Sequence, residues 1–271
     1  MTRKSPENPM MHPNFSAIDA LIEGFQTTWS SRAFLVRAAP LPLIMGMISL
    51  AAARFIELDF ENNPALMVLI DLPWQIGLGW YMAMGVRHKL LGEAHPIFPW
   101  PMDKSATSHI NLRRSLLIWV SANFFFASVI TGVIWASQNL NMPEFWRFAL
   151  AILVYAGLIH LIRYALAYIP AAIGYPLSSY IRASRHPFFS LKILGTFLAA
   201  GFFIIIPAMI AFLTLAGLTG QTELEGKEQA PFLLQIFELI IFLIIYSVAN
   251  MSFISAVSQI MGQQGPKKPR D

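Results

Sequence analysis

The chain has no cysteine, and charged side chains make up only 13% of its 271 residues. The first absence removes disulfides, thiolate catalysis and Cys-ligated metals from consideration. The second separates the sequence from soluble domains, in which about a quarter of residues are charged. A glycine-rich phosphate loop, a Gly-x-Ser-x-Gly elbow and a His-Glu-x-x-His helix are also missing, so the familiar motif-borne enzyme chemistries have no footing. The polar start lacks the short apolar core and small-residue cleavage site of a removable leader, which leaves the first apolar stretch as the expected insertion signal.

What is present is hydrophobic: 56% of residues, concentrated in six stretches at 34–56, 65–86, 116–136, 148–174, 193–218 and 232–257. A hydrocarbon core of about 30 Å needs roughly 20 apolar residues per helix, and each stretch reaches that length. The expected fold is an all-α polytopic membrane protein with six transmembrane helices and an amphipathic N-terminal helix. Residues 1–13 are polar and expected to be disordered. Residues 14–30 place Phe15, Ile18, Leu21, Ile22, Phe25 and Trp29 at helical spacing opposite Asp19, Glu23 and Gln26, with Asn14 as the expected cap. Packing of that apolar face on the protein is favoured over docking to anionic lipid, because its polar face is acidic. Residues 31–262 form the membrane domain, and 263–271 a basic tail.

The charges sort by loop. With the N-terminus inside, the inner segments hold Arg3, Lys4, Arg32, Arg37, Arg87, Lys89, Lys104, Arg113, Arg114, Arg182, Arg185, Lys192, Lys267, Lys268 and Arg270, fifteen basic residues. The outer loops hold only Arg54, Arg147 and Lys227, beside Glu57, Asp59, Glu61, Glu144, Glu223, Glu225 and Glu228. Lys and Arg in short loops resist translocation. Both termini are therefore expected in the cytoplasm of a cell whose inner membrane holds the chain. The formal charge of +4 is a topology signal on this reading, and no nucleic-acid partner is expected.

Proline falls in four of the six stretches, at Pro40 and Pro42, Pro73, Pro170 and Pro207. Each removes a backbone donor and frees a carbonyl that lipid cannot satisfy, giving either static kinks or the discontinuous helices of a transporter. Small residues at Gly77 and Gly79, and at Gly195, Ala199, Ala200 and Gly201, allow backbones to approach. Trp135 and Trp146 at the outer ends, and Trp119, Tyr175 and Tyr180 near the inner face, fit interfacial anchors.

Polar residues inside the stretches are few, and such residues are functional by default. Asp71 and Glu238 share a depth in the outer part, His160, Arg163 and Asn250 form an inner layer, and Asn123 sits near mid-membrane. They serve either a polar path or structural hydrogen bonding. An Asp71–Arg163 pair is excluded by a depth difference of roughly 15 Å. His88, Glu93, His95, Asp103 and His109 share a loop without any established metal-ligand spacing, so no cofactor or metal is expected. The basic groups Arg87, Lys89, Arg113, Arg114, Arg182, Arg185 and Lys192, beside Phe98, Trp100, Phe188 and Phe189, either set topology or bind anionic phospholipid head groups at the inner leaflet.

The segment WYMAMGVRHKLLGE from Trp80 to Glu93, with RYALAYIPAAIGYPLSSYIRASRHPFF from Arg163 to Phe189, resembles a loose group of uncharacterised, mostly alphaproteobacterial six-helix integral membrane proteins. That group is distantly similar to the YciC-type and glycerophosphodiester phosphodiesterase membrane-domain families. The resemblance covers most of the chain and implies fold and membrane location. It differs here in reading Arg87-His88 where the order His-Arg is expected, with Lys89 as an added charge. The resulting expectation is a non-enzymatic multi-pass protein that organises membrane or envelope through the bilayer, anionic lipid, a membrane-protein partner or self-association. A small-solute or ion permease is the alternative.

Overall fold

The structure, a computed structural model, describes residues 15–56, 64–97, 107–139, 143–218 and 232–262. The expected disordered start, the basic tail, Asn14, Phe98, Trp100, Asp103, Lys104 and most of the outer-loop charges lie outside these residues. Among them the chain is all helix: α1 (Ala17–Ser30), α2 (Arg32–Ala38), α3 (Pro40–Phe55), α4 (Pro64–Ile70), α5 (Leu72–Leu91), α6 (Thr107–Asn139), α7 (Glu144–Ala165), α8 (Tyr168–Ala172), α9 (Leu177–Ala183), α10 (Pro187–Leu218) and α11 (Phe232–Gly262).

Among the described residues, four helical stretches are long and apolar enough to cross a membrane: Thr107–Ser137, Glu144–Ala172, Phe188–Ala211 and Leu234–Gly262. A fifth is added if α2 and α3, bent by 41° at Ala39, act as one span. The stretch 65–86 falls on α4 and α5 and is not among them. Its middle carries Trp74, Gln75, Trp80, Tyr81 and three glycines, and from Gly77 to Arg87 every residue is buried. Such a helix is enclosed by other helices on all sides and does not need the aliphatic surface that lipid contact demands.

Proline accounts for the breaks. Pro40 and Pro42 begin α3 after the bend, Pro73 follows the interruption at Asp71, and Pro170 lies in the short α8 after α7 ends. Pro207 sits within α10 without ending it. Ring clash and the lost donor favour an interruption just before the proline.

The core is built on α5 and the C-terminal half of α11, with α3, α6, α8 and α1 packed around them. Trp80, Met82, Met84 and Tyr168 are fully buried there, and α6 and α7 keep most of their surface exposed. Glycine makes the close crossings. A Cβ at Gly77 would lie 2.9 Å from the Pro42 backbone, and one at Gly79 would collide with the Trp119 ring. Trp119 is thus a core residue with its ring edge-on to Tyr168 at 5.0 Å, which corrects its reading as an interfacial anchor. Tyr180 is likewise buried, its hydroxyl donating to the Arg163 carbonyl at 2.8 Å.

Helix α1 starts at Ser16, whose Oγ accepts from the Asp19 N–H at 3.2 Å. It packs along α11, and its contacts run in antiparallel order: Glu23 with Ser255, Gly24 with Ser252, and Thr28 with the Ser247 carbonyl. The face on α11 is small and polar, Phe15 is buried edge-on to Phe189 and Phe25 lies edge-on to Phe203 of α10, while Ile18, Ile22 and Trp29 are exposed together with Asp19 and Gln26. The expected apolar face is thus divided, one part turned onto the protein and the other outward. In lipid, apolar side chains gain nothing by turning inward, and small residues that admit a close approach take the interface.

Candidate functional site

Two polar regions organise the molecule. The first is at the end of α5. Gly92, at φ +72°, closes that helix in the left-handed conformation, and its N–H reaches the His88 carbonyl at 3.1 Å. The turn brings Glu93 back onto Arg87. Arg87 Nε donates to one carboxylate oxygen at 2.8 Å and Nη2 to the other, a bidentate fork. Nη1 donates to the carbonyls of Ala172, at 2.8 Å, and Ser108, at 3.4 Å, and Nη2 also to Ser108 Oγ. All five N–H groups of a side chain only 3% exposed are thereby occupied. His88 completes the turn, its Nδ1 2.7 Å from the Glu93 carbonyl oxygen and its ring stacked on Phe34 at 4.1 Å.

A second node lies one turn away. Asn250 is buried, donates to the Met82 carbonyl at 3.0 Å and accepts from the Tyr168 hydroxyl at 2.6 Å. The Tyr168 carbonyl in turn accepts from Ser115 at 2.8 Å. Helices α5, α6, α8 and α11 are pinned together by these bonds. Segments 80–93 and 163–189 are joined as well, since Arg87 holds Ala172.

The seven basic residues expected at the head groups divide. Arg87 is a buried tie, which corrects its reading as a lipid contact. Lys89 pairs with Glu23 at 2.8 Å and reaches the Met251 carbonyl at 3.4 Å. Lys192 donates to the Phe15 carbonyl at 3.1 Å. Both therefore hold α1. Arg113, Arg114, Arg182 and Arg185 are exposed, as is the Phe188 ring. Gly174, at φ +74°, would place a Cβ 2.6 Å from Asn111 Nδ2, so the start of α6 and the segment leading into α9 touch. Arg113 and Arg114 lie early in α6, and Arg182 and Arg185 at and just after the C-terminal end of α9.

The inner layer does not form one site. Arg163 points back along α7, with Nη2 2.9 Å from His160 Nε2 and 3.2 Å from the Tyr164 hydroxyl, and Nη1 donating to the Arg185 carbonyl at 3.2 Å. That last bond ties α7 to the turn between α9 and α10. Asn250 belongs to the other node.

The outer carboxylates do come together. Asp71 and Glu238 line one cleft of about 300 Å³ between α3, the α4–α5 interruption and α11. Asp71 accepts from Gln75 Nε2 at 2.7 Å, and on its other side a cavity of about 30 Å³ is lined by Asp71, Gln75 and Asn123. Asn123 itself donates to the Trp119 carbonyl at 2.9 Å. Gln75 was passed over by the sequence reading, although its position four residues after Asp71 puts both on one helix face.

On α1, burial pushes the Glu23 carboxyl upward, but hydrogen bonds from Lys89 and Ser255 and the Lys89 charge outweigh this and hold it below the usual carboxylate range. Compared with family models, curated proteins and solved structures, the chain gives no match.

Proposed function

We propose that this is a six-span protein of a bacterial inner membrane, with both termini in the cytoplasm, that organises the membrane by holding anionic phospholipid against its cytoplasmic face. The role is non-enzymatic. Together, α4, Asp71 and α5 run from 64 to 91, about 42 Å at 1.5 Å per residue. That length suffices for a sixth span. The sorting of basic residues supports the orientation, and the resemblance to six-helix bacterial proteins agrees with both.

The observation that carries the lipid reading is the exposure of four arginines, Arg113 and Arg114 early in α6 and Arg182 and Arg185 at and just after the end of α9, the latter two close in sequence to the exposed Phe188. Guanidinium groups fork onto phosphate, and each basic residue near an anionic leaflet contributes about 1 kcal/mol. Replacing all four by Gln and weighing the lipids that co-purify in mild detergent tests the reading. The ratio of anionic to zwitterionic lipid should fall by more than about half. An unchanged ratio in a correctly inserted variant refutes it.

The permease alternative has the carboxylate cleft in its favour. A path from that cleft to the cytoplasm would have to cross the layers in which Asn250, Tyr168, Arg87 and Glu93 are bonded to one another. The organising role is therefore preferred.

A further inference from the structure

We propose that the outer cleft binds a lipophilic organic cation, an onium group carried on an apolar body. The cleft's volume of about 300 Å³ falls at the small end of ligand sites, which are mostly apolar with a few placed polar groups. Its lining fits that description, with Met67, Trp74, Leu239 and Phe242 among the apolar walls and only four polar side chains.

Two of those four are engaged with the protein. Ser49 Oγ accepts from the Trp74 N–H at 3.2 Å, satisfying an amide in the first turn of α5. Gln235 Oε1 accepts from Arg54 Nε at 3.2 Å. The other two are Asp71 and Glu238. The ion pairs among the described residues are Arg87–Glu93 and Lys89–Glu23, so neither cleft carboxylate has a cationic partner there. Asp71 accepts from the neutral Gln75 amide. Charged groups within a membrane are normally paired, and a ligand cation would supply the missing charge.

The walls decide which cation. A small metal ion sheds its water only for a shell of oxygen ligands, and this cleft offers two carboxylates amid carbon. A weakly hydrated onium ion needs no such shell. Trp74 and Phe242 add aromatic surface that attracts cations, and the aliphatic walls accept the ligand's body. Gly46 permits the floor to form: a Cβ there would lie 2.8 Å from the Trp74 ring and 3.0 Å from Leu239.

The test uses the full chain in nanodiscs and radiolabelled tetraphenylphosphonium, with tetraphenylmethane as the uncharged competitor and tetramethylammonium as the cation without an apolar body. Saturable binding is expected, displaced by neither competitor at equal concentration. Glu238→Gln, at an exposed position, should weaken it about tenfold, and Asp71→Asn, which retains an acceptor for Gln75, by at least as much. Gly46→Leu should abolish it by filling the cleft, with both carboxylates intact. Folding of each variant is followed by its melting temperature, and Glu238→Gln alone decides the matter if the others do not fold. Equal affinity in wild type and Glu238→Gln, or displacement by tetraphenylmethane as readily as by the unlabelled cation, overturns the proposal.

Discussion

Removing the guanidinium fork of Arg87 separates the structural role of this residue from a topological one. Arg87 is 3% exposed and makes five hydrogen bonds, two of them to Glu93, one to the carbonyl of the buried Ala172 and two to Ser108. In Arg87→Met the Ala172 carbonyl loses this donor inside the core, a loss of about 1–3 kcal/mol, and Glu93 loses its counter-charge. Breaking a buried pair from one side typically costs about 3–5 kcal/mol. The Glu93 side chain keeps 21% exposure, so water relieves part of its penalty, and about 3 kcal/mol is the expected total. Arg87→Lys keeps the positive charge but replaces a planar five-donor fork by three donors on one atom, and should still lose about 2 kcal/mol. Arg87→Met combined with Glu93→Leu should recover part of the loss, because no unpaired charge remains. Unfolding by SDS in mixed micelles, followed through the helical signal, measures each variant. If Arg87→Lys unfolds with wild-type stability, the fork contributes nothing and the account of this node is wrong.

Helix α1 supplies two further tests. Gly24→Ala would drive a Cβ to 2.9 Å from the Ser252 backbone nitrogen, so overpacking of about 1–3 kcal/mol should outweigh the helix-propensity gain of nearly 1 kcal/mol; a variant more stable than wild type to SDS would show that α1 is not seated on α11. The Glu23 carboxyl, facing Lys89 from α5 and Ser255 from α11, is held below its ordinary range. Its stabilisation is therefore present above about pH 4.3 and lost as pH falls through the lower folded value. Acidification below about pH 4 should speed proteolysis near Trp29 in wild type but change little in Glu23→Gln, and identical pH profiles would remove the latch.

Much of the helical layout was legible because twenty-residue apolar runs admit few other structures. The breaks were legible from proline, with Ala39, Asp71 and the α7–α8 junction lying beside Pro40, Pro73 and Pro170. The shared depth of Asp71 and Glu238 followed from counting residues, and the cleft joins them. The fate of the basic residues was not legible. Arg87 and Arg114 look alike in sequence, and only the left-handed turn at Gly92 turns Glu93 toward one of them. Tyr168 escaped notice as a partner for Asn250 because the two are 82 positions apart.

The face of α1 was only partly legible, for a deeper reason. An apolar stripe at helical spacing marks the buried side reliably only when the surrounding solvent is water. Phe15 is buried as that spacing suggests, but Ile18, Ile22 and Trp29 are exposed, while Ala20 and Gly24 are buried and Glu23 and Thr28 bond to α11. In α5, likewise, glycines, Tyr81 and Arg87 are buried beside Leu78, Trp80 and Met82, and long aliphatic runs of α7 and α10 face outward. Hydrogen bonds and close backbone contact hold such a core together where the hydrophobic effect cannot. Sites in this protein are therefore to be sought where charged groups within the bundle lack a counter-charge, and Asp71 and Glu238, which line one cleft and have no cationic partner among the described residues, meet this description.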